Sequence, residues 1–464
     1  MDCDPGSSSS PPPYPNLYDG EVLWTINDAP TITYFKRGAT NRPLCVLIPG
    51  AAHLARIFYG GHKGHNPRDF LAHWLVTNPT SNSESGSSKL DSMTEGEAGY
   101  NILAISYPLE TNPPLMPPTR PDFTVREWGV QAAEATKRVM DRERLSYDLG
   151  VILLVWSMAG KVIAPFNLAA RERGLSVRLV VSLNSTPPLR GLRGNPPRPA
   201  VSQAGYVHGG HVSDEYFLRQ LYEQRAINFC ASTSTSVSES VDGGKNSNND
   251  SRSGNSGNRN KANSTSSSSN SDNTNGGGSI IVPDDIFIKE YTGNFPVGLA
   301  AWGLRWSRQD QDGTTINNGN STVHSSGNRG KMIDDPHAGY EVFDETTIKD
   351  LPPMCALYGD SPADLRHSAG DRSMWAFLIS HNLLGGINAK ESRVLAENPE
   401  VGKRVIKFIH AAPDRLCAAE EGGHHFFLGE KGAKRTAAWV IEMEKRMQEV
   451  KRELDILLGR DQTR

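Results

Sequence analysis

The stretch Val151-Ile152-Leu153-Leu154-Val155-Trp156-Ser157-Met158-Ala159-Gly160 decides how the chain is to be read. Its unbroken aliphatic run suits a strand covered on both faces. Trp156 and a serine follow, then small residues, and a helical pattern begins. A strand, a tight turn and a helix with serine at the apex would lift a side-chain oxygen above the edge of a sheet, and small neighbours would let strand and helix come close. The bland alternative for the same serine is to cap the helix that follows.

Similar short apolar runs lie on either side, at 44–48, 102–105 and 179–183. Helical patterns separate them. Asn66 before Pro67 has the form of a cap with proline at the first helical position, leading into Phe70, Leu71, Trp74 and Leu75. Thr124 and Glu127 have capping-box spacing ahead of Trp128 and Val130. Strand and helix in alternation predict a parallel sheet with right-handed crossovers. Upstream, Val22, Trp24 and Ile26, then Ile32 and Tyr34, alternate with the period of half-buried strands, which predicts an antiparallel opening pair.

After the sixth strand the alternation stops, and residues 186–350 read as an insertion. Ser213 is placed to cap a helix carrying Phe217, Leu218, Leu221 and Tyr222. A second apolar region, 280–306, carries Phe287, Tyr291, Phe295, Trp302 and Trp306, expected to be core of the insert, with the lining of an acyl-sized pocket as the alternative. The tracts 231–279 and 308–331 are Ser/Asn/Gly-rich and too poor in apolar residues to offset their ordering entropy, so they are expected to be disordered loops. The same holds for 80–99 and for a Ser/Pro-rich tail, 1–18. The core pattern resumes with a strand at 354–357, a helix around 374–379, a strand at 405–409 and a long charged helix from 433 to about 458. The expected organisation is an α/β core in two parts, 19–185 and 351–464, flanking a cap.

Net charge is -3 over 464 residues. No basic run has the density of a nucleic-acid surface, so no nucleic-acid partner is expected. No apolar stretch approaches the ~20 residues of a membrane span. Met1-Asp2-Cys3-Asp4-Pro5-Gly6 has neither the basic nor the apolar region of a signal peptide. Five cysteines make no dense framework and have no metal-ligand spacing. Cys45 and Cys355 fall in apolar runs as small buried hydrophobes. A cytoplasmic protein is expected, and its oligomeric state is not legible.

The segment Trp156-Ser157-Met158-Ala159 resembles the G-x-S-x-G nucleophile elbow of the α/β-hydrolase superfamily, with Val155 at the first glycine and Ala159 at the second. The resemblance covers about 21–185 and 350–464. It implies a mostly parallel central sheet flanked by helices, Ser157 as nucleophile, and acyl transfer to water through an acyl-enzyme. Leu47-Ile48-Pro49-Gly50-Ala51-Ala52 then stands where the family places its oxyanion loop, with the N–H groups of Ala51 and Met158 as donors. The base falls in Glu421-Gly422-Gly423-His424-His425-Phe426-Phe427. His425 is the first choice, because its Phe-Phe-Leu-x-Glu continuation is similar to the family's; His424, directly after Gly-Gly, is the alternative. The acid falls in Tyr358-Gly359-Asp360-Ser361-Pro362-Ala363-Asp364. Asp360, nearer the strand end, is preferred, with Asp364 as the alternative.

The substrate implied is a small to medium apolar carbonyl compound, an ester, thioester or lactone, with no cofactor. A serine in place of aspartate argues against epoxide or haloalkane hydrolysis. The rival reading is a catalytically inactive binding protein that keeps the fold, motivated by Val155 and by the two-way choice of acid. In Gly60-Gly61-His62-Lys63-Gly64-His65 no further ligand has metal-site spacing, so no metal is expected and the loop is read as bordering the pocket. Tyr59 and His53 are further candidates to face it.

Overall fold

The computed structural model describes residues 16–78, 99–188, 201–202, 204–207, 218–225, 281–300, 304–308, 330–334, 350–364 and 370–460. The expected disordered tracts 80–99, 231–279 and 308–331, the tail, Ser213, Phe217 and Trp302 lie wholly or almost wholly outside these residues.

An eight-stranded sheet organises the chain. Strand β1 (Glu21–Ile26) turns tightly into β2 (Ala29–Lys36), and the two pair antiparallel, as their alternation predicted. β3 (Leu44–Ile48) is followed by the short helix α1 (Arg56–Tyr59), a 3-10 turn Pro67–Asp69, and α2 (Leu71–Thr77). Asn66 caps the 3-10 turn rather than one continuous helix, because Phe70 adopts extended backbone between the two. β4 (Asn101–Ile105), α3 (Val125–Glu143), β5 (Val151–Trp156), the 3-10 turn Ser157–Val162, α4 (Ile163–Glu172) and β6 (Val177–Leu183) continue the pattern. The capping box of Thr124 and Glu127 opens α3 with both reciprocal bonds formed.

Beyond the insertion come β7 (Met354–Gly359), α5 (Arg372–Gly385), α6 (Ala389–Glu397), α7 (Pro399–Leu416), β8 (Cys417–Glu420) and α8 (Glu430–Leu457). The strand expected at 405–409 is therefore helix. Val405, Ile409, Ala412 and Leu416, buried in α7 together with Pro413, are spaced four, three and four apart, which is one face of a helix. The last strand is the short, half-buried Cys417–Glu420, too weakly apolar to stand out.

The strand order is β1-β2-β4-β3-β5-β6-β7-β8. β2 runs against both neighbours, while every pair from β4 to β8 is parallel. Strands β3, β4 and β5 are buried along their whole length, as crossovers covering both faces require. Each fully buried aliphatic side chain contributes about 1.5–3 kcal/mol, so this centre is the rigid part of the molecule. Cys45 in β3 and Cys355 in β7 (Met354–Gly359) are buried free thiols. No helix among the described residues is long and apolar enough to cross a membrane.

The order fixes where a site can be. From β3 the chain crosses to β4 on one side, and from β5 it crosses to β6 on the other. β3 and β5 are themselves adjacent. Such a reversal leaves a crevice at the carboxyl ends of the two strands. The residues that meet there are Gly50 and Ala51 after β3 and Ser157 after β5.

Part of the segment between β6 and β7 (Met354–Gly359) lies along that same end. In the stretch 281–300, Tyr291 accepts from Leu54 N–H at 2.8 Å, Gly293 donates to the Ala52 carbonyl at 2.9 Å, and Asn294 exchanges both backbone bonds with Glu110 at 2.8 Å. A buried ion pair fastens it: Arg56 holds Glu21 through two 2.7 Å bonds and donates to the Glu290 carbonyl at 3.0 Å. Phe287, Tyr291 and Phe295 are buried, in keeping with the expectation that they pack as core. Leu221, on a described helical stretch at 218–225, is buried as well.

Candidate active site

Ser157 has φ +54, a left-handed backbone that a serine adopts only where the surroundings impose it. Trp156 just before it is still extended, and the helical turn starts at Ser157 itself. This is the strained strand-to-helix turn that the sequence pattern implied. Val155 does not obstruct it, because Val155 is an interior residue of β5, paired with Ile48 and Ser182 and wholly buried. The close approaches fall elsewhere. A Cβ on Gly50 would lie 2.5 Å from the Ser157 Cβ, and one on Gly160 would lie 1.9 Å from the Thr186 carbonyl oxygen. Thr186 in turn donates its N–H to the Ser157 carbonyl at 2.9 Å. Gly160→Ala must therefore push backbone apart, with an expected loss of about 1–3 kcal/mol. The check is a lowered urea midpoint at unchanged slope; an unmoved midpoint would contradict this packing.

The histidine that faces Ser157 is His424, not His425. The Ser157 hydroxyl stands 2.9 Å from His424 Nε2, and His424 Nδ1 stands 3.0 Å from Asp364 Oδ2. A carboxylate only accepts, so Nδ1 carries the hydrogen and Nε2 turns its lone pair to the serine. His424 and Asp364 side chains are 9% and 11% exposed, enough burial to keep water from competing for these bonds.

His425 is fully buried, its ring 5.0 Å from Trp156, 5.5 Å from His53 and 6.0 Å from Phe287. Among the described residues neither of its ring nitrogens has a hydrogen-bond partner. Burial, reinforced by the neighbouring imidazoles of His53 and His424, holds its pKa well below the ordinary histidine value, so it is neutral. The reason for the exchange is packing: Phe426, Phe427 and Leu428 are all wholly buried, and His425 is the first residue of that apolar run. The continuation that favoured it in the sequence marks core.

The carboxylate facing His424 is that of Asp364, not Asp360. Asp360 is exposed and its carboxylate accepts from the Gly422 N–H at 3.1 Å, which orders the histidine loop. The 3-10 turn Pro362–Asp364 then folds the chain back and delivers Asp364 beneath the loop.

Two residues that the sequence reading passed over hold this arrangement. Asn184, wholly buried at the end of β6 with φ +43, donates to Asp364 Oδ2 at 2.9 Å and to the Gly423 carbonyl at 3.2 Å, and accepts from Gly359 N–H at 2.9 Å. It ties the strand that leads to Asp364 to the loop that carries His424. The Trp156 indole donates to the His424 carbonyl at 3.0 Å, so the residue before Ser157 also fixes His424. An asparagine directly after a buried strand, in a left-handed position that asparagine tolerates, was the available signal.

Ala51 follows β3, and Met158 lies one residue past Ser157 at the start of the helical turn, where the first N–H groups have no partner within the helix. His53 Nδ1 lies 2.7 Å from the Ala51 carbonyl, and burial brings its pKa down to about 3. Tyr59 bonds Glu21 within the buried ion pair. His62 Nδ1 meets the Tyr291 hydroxyl at 2.6 Å and His65 Nδ1 the His62 carbonyl at 2.8 Å, so this glycine-rich loop is pinned to the inserted stretch.

A mostly parallel eight-stranded sheet with a serine elbow at its switch point is the α/β-hydrolase fold. No family model matches the chain, and no curated protein matches it. Among solved structures it is similar to carboxylesterase CesB of Bacillus subtilis, at 12% identity, covering 93% of this chain and 92% of that one with a TM-score of 0.35. It is similar to a thermophilic esterase from Thermogutta terrifontis at 10% identity, covering 92% and 98% with a TM-score of 0.37. MenH from S. aureus is similar at 10% identity, covering 90% and 98% with a TM-score of 0.35. At such values the fold assignment rests on the strand order and the elbow themselves.

Proposed function

We propose that the chain is a serine hydrolase that cleaves an ester, thioester or lactone through an acyl-enzyme. The observation that carries this reading is the continuous chain of hydrogen bonds from Ser157 through His424 to Asp364, at 2.9 and 3.0 Å, on a strained elbow. A hydroxyl is a poor nucleophile until a base takes its proton. In the reaction proposed, the Ser157 oxygen bonds to the carbonyl carbon while its proton passes to His424 Nε2. Asp364 stabilises the imidazolium that results. The carbonyl oxygen, now an anion, is held by the N–H groups of Ala51 and Met158. Collapse expels the alcohol or thiol, which takes the proton back from His424. Water then repeats the sequence on the acyl-serine and releases the acid.

The stretch 281–300 along the carboxyl ends of the strands supports reading the insertion as a cap over this site. That favours a small to medium apolar acyl group. Offered p-nitrophenyl acetate, butyrate and octanoate, the protein is expected to release a burst of nitrophenolate equal to the enzyme present, followed by slower turnover. Absence of release from every chain length would overturn the proposal.

A further inference from the structure

Tyr107 lies just past the end of β4, wholly buried, with its ring 4.4 Å from that of Trp128. Its hydroxyl donates to the Gly50 carbonyl at 2.8 Å, and the backbone N–H groups of Ala52 and His53 face it closely enough to pull its pKa downward against burial. Burial raises its pKa far beyond the ordinary phenol value, so the hydroxyl keeps the proton it donates. One hydroxyl thus occupies the inside of the turn 50–53, which the residue Ala52 enters at φ +60 and which His53 N–H closes onto the Gly50 carbonyl only weakly, at 3.4 Å.

The consequence lies in the peptide that joins Gly50 to Ala51. Its carbonyl and its N–H point in opposite directions in one rigid plane. Tyr107 follows β4, on one side of β3, and Ser157 follows β5, on the other. A carbonyl drawn toward Tyr107 therefore turns the Ala51 N–H toward the serine side. The remaining polar groups of the turn are engaged: the Ala51 carbonyl by His53 Nδ1 and the Ala52 carbonyl by Gly293 N–H, leaving the Ala51 N–H without an acceptor among the described residues.

We infer that Tyr107 is a positioning residue for the oxyanion hole, setting the peptide plane whose N–H meets the developing negative charge. This rests on the serine-hydrolase reading and names a residue through which that site acts. The hydroxyl touches no substrate; it acts through Ala51. Freed of it, the plane can rotate, and the donor then has to be aligned during the reaction instead of beforehand.

Tyr107→Phe removes one oxygen and keeps the ring against Trp128. With p-nitrophenyl butyrate, kcat is expected to fall about 10-fold or more while KM stays within about twofold, since the hydroxyl serves the transition state more than the ground state. Affinity for a trifluoromethyl ketone, whose adduct places an oxyanion in the same spot, should weaken by a similar factor. Trp128→Phe is the companion variant: it loosens the same ring and lowers the melting temperature, but is expected to leave the ratio of ketone affinity to that of a simple product acid unchanged. A Tyr107→Phe enzyme with wild-type kcat and wild-type ketone affinity would overturn the inference, as would a Trp128→Phe enzyme with the same selective loss of ketone affinity. Ser157→Ala in parallel separates the two levels: turnover that survives it sinks the serine-hydrolase reading itself, whereas Ser157-dependent turnover indifferent to Tyr107→Phe sinks only the role of the tyrosine.

Discussion

His424→Ala is expected to lower kcat for ester hydrolysis by at least about 10⁴-fold, because the serine then has no base within reach. His424 Nε2 is 2.9 Å from the Ser157 oxygen. His425, one residue on, is expected to behave quite differently. Its ring is enclosed by Trp156, His53 and Phe287 and makes no hydrogen bond among the described residues, so His425→Leu, close to it in volume, should keep kcat within about 10-fold of wild type. Steady-state kinetics on the two purified variants, each checked for folding by circular dichroism, decide between them. The reverse ranking would exchange the histidines and contradict the geometry described above.

The acids give the second large contrast. Asp364→Asn keeps the shape of the side chain, and the Asn184 amide at 2.9 Å favours an oxygen in the position that faces His424. What is lost is the negative charge that stabilises the imidazolium. A fall of about 10³-fold in kcat is expected, with KM nearly unchanged. Asp360→Asn is expected to stay within about threefold, since Asp360 is exposed and accepts a backbone N–H from Gly422 that an amide oxygen can also accept. Equal losses in the two variants would mean that Asp364 has no special place in the reaction.

These contrasts are also where the sequence stopped being informative. Ser157 was legible because an elbow is local: a buried strand, a serine and small residues follow one another within ten positions. The sheet was legible for the same reason, since strands covered on both faces must be continuously apolar. The choice between His424 and His425 was not local. Neighbouring residues in a turn point in different directions, and which one faces the serine depends on Trp156 and Asn184, 268 and 239 positions away, gripping the carbonyls of His424 and Gly423. The apolar run after His425 was a real signal, but of burial. Likewise Asp364 faces His424 only because a 3-10 turn folds it back, and a Pro-Ala-Asp triplet carries that information weakly.

The run Val405-Ile406-Lys407-Phe408-Ile409 shows the complementary error. Its β-branched and aromatic residues suit a strand, and only the wider spacing to Ala412 and Leu416 reveals the helix that tertiary packing selects. Tyr107 and Asn184 acquire their roles from strand neighbours that meet only in the sheet: β4 beside β3, and β6 beside β7. The same topology relieved the doubt over Val155, whose place inside β5 leaves the turn free to form one residue beyond Trp156.

The most direct measurement of the central claim is covalent labelling with a fluorophosphonate, which reacts with an activated serine, followed by mass spectrometry of the digested protein. The account predicts one adduct per chain, on Ser157, lost in Ser157→Ala and strongly slowed in His424→Ala. A wild-type protein that takes no label, or a label that persists undiminished in Ser157→Ala, would contradict it.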